Sequence, residues 1–94
     1  MLKYLKDHIL EELEGAIDYL EKAIECKKSP MGYKFYRMSE MEVDHANCLT
    51  KMLNNLEKDE ASSDAEHSAV YKSVLDAYTT HMGKIESLKK LYYS

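Results

Sequence analysis

The sequence has no tryptophan, one proline, three glycines and two cysteines in 94 residues. So little proline and glycine leaves few turn formers for a sheet fold, and the abundant Glu, Lys, Leu, Met and Ala are helix formers. Two thiols, Cys26 and Cys48, cannot build a disulfide framework. No apolar run approaches the roughly 20 residues that span a bilayer, so no membrane partner is expected. The opening Met1-Leu2-Lys3-Tyr4-Leu5-Lys6-Asp7-His8 lacks the apolar core and small-residue cleavage site of a signal peptide. The expectation is a cytoplasmic protein with reduced thiols. Basic excess is also missing: the net charge is −4 and the pI near 5.5, with both signs interspersed. That balance gives no footprint for nucleic acid. It is compatible with attracting cations, although weak acidity alone is common.

What is present reads as an all-α chain, one helical domain over residues 1–94. Two breaks divide it into three helices. At the first, Ser29 can cap a helix whose first residue is Pro30, and Lys27 and Lys28 suit the end of the helix before it. The second is the polar stretch Asp59-Glu60-Ala61-Ser62-Ser63, where Ser63 and Glu66 read as a capping box. The expected helices run from about Leu2 to Lys27, Pro30 to Lys58 and Asp64 to Tyr92. The short first link makes helices 1 and 2 an antiparallel hairpin. Long thin helices leave apolar surface wet in a single copy, so a homodimer or higher homo-oligomer is expected.

Amphipathic spacing marks a face on each helix. Helix 1 carries Leu5, Ile9, Leu13, Ala16, Ile17, Leu20, Ala23 and Ile24. Helix 2 carries Met31, Phe35, Met38, Met41, Leu49, Met52, Leu53 and Leu56. Helix 3 carries Val70, Tyr71, Val74, Tyr78, Met82, Ile85, Leu88 and Tyr92. Each set is expected to be buried. Tyr33 and Tyr36 fall outside the stripe of helix 2 and point to a second contact face.

Three polar residues interrupt these stripes. At about 100° per residue, Glu42 and His45 fall among Met38, Met41, Leu49 and Met52, and Glu12 shares an arc with Leu5, Ile9 and Ala16. A buried carboxylate is costly without a compensating cation, and no Lys or Arg shares these stripes. Glu42 and His45, three apart, project to one side and can grip a common ion. Folding the hairpin at Ser29-Pro30 brings Glu12 to within about one or two turns of their level. Carboxylate oxygen with imidazole nitrogen suits iron, manganese or zinc. By itself Glu-x-x-His is weakly specific, and a metal-free Glu42–His45 couple is the alternative reading.

These residues resemble the ferritin-like superfamily, in which a helix-borne Glu and a Glu-x-x-His on the next helix build each half of a di-iron site. The stretch from Glu11-Glu12-Leu13-Glu14 through Tyr19, Cys26 and Glu42-x-x-His45-Ala46 to Leu53 is most similar to the encapsulated ferritin family of short helical-hairpin chains. The resemblance implies a four-helix-type bundle completed by dimerisation, with Glu12, Glu42 and His45 as iron ligands and catalytic groups of a ferroxidase. It also implies that Tyr19 hydrogen-bonds a ligand carboxylate from outside the ligand set, that Glu11 and Glu14 guide incoming metal, and that an encapsulin-type shell is a partner. Helix 3 supplies neither a second Glu ligand nor a second Glu-x-x-His, so the other half-site falls to a second copy. A docking tail after a flexible linker is also missing; Gly83 to Lys90 has a faint likeness to one but lies within a helical pattern.

Elsewhere the bland reading prevails. His67 and His81, about 21 Å apart on helix 3, read as core or interface histidines, Asp64 as a cap, and the methionines as adaptable filling. The rival function from another class is a metal-free helical interaction module whose polar residues set pairing register.

Overall fold

A computed structural model describes residues 1–59 and 65–94, with side chains at 1–58 and 68–94. The described chain is all-helical: α1 (Leu2–Glu25), α2 (Pro30–Asp59) and α3 (Ala65–Tyr93). The expected capping box of Ser63 and Glu66, and the pair Asp64 and His67, involve side chains outside the described residues. α1 stops two residues short of Lys27 because Cys26 leaves helical geometry, with φ −109° and ψ 17°.

The hairpin turn is closed by backbone. Ser29 N–H donates to the Cys26 carbonyl at 2.8 Å, and Gly32 N–H donates to the Ser29 carbonyl at 3.1 Å. The Ser29 hydroxyl, expected to cap α2, turns back instead and donates to the same Cys26 carbonyl at 3.0 Å. Gly32 is required there, since a Cβ would run into the Cys26 carbonyl and stand 2.8 Å from the Cα of Lys27.

α1 is the central rod. It packs along α2 and against α3, while α2 and α3 meet at few points, in a body 52 Å long and 18 × 15 Å across. Its buried face is the one its spacing predicts: Leu5, Ile9, Leu13, Ala16, Ile17, Leu20 and Ala23. Each large side chain there contributes about 1.5–3 kcal/mol.

α2 departs from its expected stripe. Its buried residues are Gly32, Tyr36, Ser39, Ala46 and Leu53, whereas Met31, Met38, Met41 and Met52 are 38 to 54% exposed. Small side chains decide the difference. Ser39 lets α2 lie close to Ala16 of α1, its buried hydroxyl donating to the Ala16 carbonyl at 2.7 Å, and Ala46 joins the same core further along. The long methionines flank this contact instead of filling it.

α3 closes one face of the hairpin with Val74, Ile85 and the partly buried Val70, Tyr78, Met82 and Leu88. Its few links to α2 are polar or aromatic. Tyr71 and Tyr78 donate to the side-chain carbonyls of Asn54 and Asn47 at 2.6 and 2.5 Å. Tyr36 stacks on Tyr92 with ring centres 4.5 Å apart and accepts from the Tyr93 hydroxyl at 3.0 Å. Tyr36 thus makes the second contact expected of it, while Tyr33 stays exposed. Gly83 to Lys90 lies inside α3. Among the described residues no helix is long and apolar enough to cross a membrane.

Candidate metal centre

The hairpin register brings Glu12 of α1 to the level of Glu42 and His45 of α2. One ligand atom from each lies within 4.8 Å of the others, and this is the only such group of three among the described residues. Glu12 Oε2 stands 3.4 Å from Nδ1 of His45. The site sits on the hairpin face away from α3, in a shallow cavity of about 270 Å³ lined by Tyr4, His8, Glu12, His45, Cys48 and Leu49.

The burial differs from the expectation. The three groups are not sunk in a core: the Glu12 side chain is 24% exposed and that of His45 62%. Their stripe faces outward because α1 takes the Ser39–Ala46–Leu53 face of α2, about a quarter-turn or more away. Their immediate surroundings are nevertheless demanding. Glu12 Oε2 is buried and accepts no hydrogen bond, a situation that costs about 1–3 kcal/mol, more for a charged group.

Gly15, one turn after Glu12, supplies the room. A Cβ at Gly15 would stand 3.3 Å from Oε2 of Glu42, so the missing side chain is a cradle for that carboxylate. The two acids are neighbours, with one oxygen of each within 4.8 Å of the other. Hydrogen bonding to Glu12, then burial, then the Glu12 charge push the Glu42 carboxyl up to about 7, against the lowering effect of His45. Two carboxylates and an imidazole, with one buried oxygen lacking a hydrogen bond and one carboxyl pushed up, make a donor set that a divalent cation fits.

Tyr19 is placed elsewhere. Its ring stacks on Phe35, centres 6.2 Å apart, and among the described residues it makes no hydrogen bond to Glu12, Glu42 or His45. His81 is partly buried, with Nδ1 2.7 Å from the Ala77 carbonyl, which is the structural role expected of it. Glu14 lines a separate groove of about 350 Å³ between α1 and α3, with Asp18, Glu21 and His81. Glu11 is solvent-facing and 3.7 Å from His8. Both cysteines are free.

Sequence reasoning missed Gly15, His8 and Cys48. Gly15 carried a signal, as the one glycine inside an otherwise strongly helix-forming α1. Comparison with protein families, curated proteins and solved structures finds no match to this chain.

Proposed function

We propose that the chain carries half of a ferritin-like di-iron carboxylate centre. A second copy completes it in a four-helix-type bundle, and ferrous iron is the substrate, oxidised by dioxygen in iron storage or detoxification. The supporting observation is the convergence of Glu12, Glu42 and His45 from two helices, with an oxygen of Glu12 buried and without a hydrogen bond.

Each residue has a task in this reading. Glu12 offers its buried oxygen to the cation. Glu42, held protonated near neutrality by Glu12, releases that proton as the cation enters. His45 offers a ring nitrogen from the open side, where its exposure leaves it free to turn toward a site shared between copies. Gly15 keeps the Glu42 carboxylate from being pushed outward. Two ferrous ions, one per chain, would together supply the two electrons that reduce dioxygen to hydrogen peroxide, with two protons taken from water. Manganese and zinc suit the same donors, and elemental analysis of the purified protein separates them from iron.

The test is anaerobic Fe(II) addition followed by air. Wild type should develop ferric absorbance that Glu42→Ala lacks; equal absorbance in both ends the ferroxidase reading. The metal-free interaction module has its own support, because the Glu12–His45 contact and the proton on Glu42 already ease part of the charge without metal. It is the reading left standing if neither protein binds iron.

A further inference from the structure

Among the described residues, only three tyrosines touch one another. Tyr4 pairs with His8 and Tyr19 with Phe35, while Tyr71 and Tyr78 spend their hydroxyls on Asn54 and Asn47. Tyr36 of α2 and Tyr92 and Tyr93 of α3 instead form a closed group, with ring centres 4.5, 5.6 and 5.3 Å apart. The two helices that supply them meet at few other points.

The group is held from two sides. Lys27, in the hairpin turn, donates from Nζ to the carbonyls of Leu91 and Ser94 at 3.2 and 3.0 Å, bracketing the two tyrosines of α3. The Tyr93 hydroxyl donates to that of Tyr36 at 3.0 Å. Tyr36 is itself buried, and burial pushes its pKa well above the ordinary range. Its ring therefore gives up the hydroxyl proton only when it gives up an electron. The neutral phenoxyl left behind still accepts the hydrogen bond from Tyr93.

The three ring pairs differ in geometry. Tyr93 meets both neighbours edge to face, at 73° and 79°, which turns ring hydrogens toward them. Tyr36 and Tyr92 lie nearly parallel, with 17° between their planes, so carbons of one ring face carbons of the other. In a phenoxyl radical the unpaired electron spreads to the ring carbons beside the one that carries oxygen. Two such carbons, one from each ring, can bond.

We infer that Tyr36 and Tyr92 are an oxidative cross-linking site that staples α3 to α2. The oxidant is a one-electron acceptor from outside the chain, of the class to which the hydroxyl radical belongs. Each of two equivalents takes one electron from a tyrosine, whose hydroxyl proton leaves with it; a hydroxyl radical ends as water. The two ring radicals join in one carbon–carbon bond. The hydrogens on the bonded carbons then move to the oxygens and restore both phenols. Closing the chain between positions 36 and 92 restricts the unfolded state, so the staple stabilises the fold.

Photolysis of a ruthenium tris-bipyridine complex with persulfate supplies the oxidant to the full chain without iron. Wild type should yield a product of single-chain mass lighter by two hydrogens, with the blue fluorescence of dityrosine. A digest should join the peptide of residue 36 to that of residue 92, and the product should melt higher than the untreated chain. Tyr36→Phe and Tyr92→Phe keep the stacked rings and should drop the fluorescence to background, while Tyr93→Phe should keep it at lower yield. The joined peptide is read on wild type alone, so a variant that failed to fold would not shield the inference. Fluorescence retained in Tyr36→Phe or Tyr92→Phe, a joint between other residues, product found only as linked pairs of chains, or an unchanged melting temperature overturns it.

Discussion

At the residue scale, the account depends on Glu12 and Glu42 being held together against their charge. Without metal, the folded protein binds a proton at Glu42 up to about pH 7, while the unfolded chain releases it near the ordinary value of 4.5. The folded state therefore holds more protons between those values. The contribution of this group to stability is complete below about 4.5 and is lost as pH rises through about 7. Denaturant midpoints of metal-free wild type should fall across that window relative to Glu42→Gln, which has no proton to lose; parallel curves would show that Glu42 does not hold one. Gly15→Ala separates folding from binding. Alanine favours a helix interior by about 1 kcal/mol, yet its Cβ meets the Glu42 carboxylate at 3.3 Å. Thermal melting should hold or rise while iron affinity drops several-fold, and a variant that binds iron as wild type does would remove Gly15 from the site. The convergence of Glu12, Glu42 and His45 was readable in the sequence because helical geometry alone puts Glu42 and His45 on one side and the hairpin length fixes Glu12. The cradle was not, since the space beside Gly15 depends on how closely two helices approach.

At the element scale, the three helices and their break at Ser29-Pro30 follow from propensity and periodicity, and their bounds fall within a few residues of the expectation. The face of α2 that would be buried did not follow. Its apolar arc is broad enough to serve two neighbours, and a hydrophobicity pattern ranks methionine above serine or alanine at a contact. Close packing reverses that order, because Ser39 and Ala46 permit the approach that methionine would block. Ser39→Ala should therefore cost about 1 kcal/mol through the lost bond to the Ala16 carbonyl, read as a shift in urea midpoint. Gly32→Ala should cost more, roughly 1–3 kcal/mol, because its Cβ collides with turn backbone that cannot easily move. If Gly32→Ala melts with wild type, the turn is not as tight as described.

At the scale of the whole molecule, α1 serves α2 on one side and α3 on the other, leaving the far face of the hairpin uncovered in the single chain. The sequence signalled that surface would remain wet, but not where. The exposure of His45 and of the methionines beside it locates it. Under the proposed shared site, metal binding depends on association, so dilution of the protein below its dimer midpoint should weaken apparent iron affinity. The most direct measurement is an anaerobic Fe(II) titration of the full chain with air admitted at the end, beside Glu12→Ala and Glu42→Ala. The account predicts saturation at one iron per chain, a dimer at saturation, and ferric absorbance on aeration that both variants lose. Wild type that takes up no iron, or variants that oxidise it equally well, would contradict it.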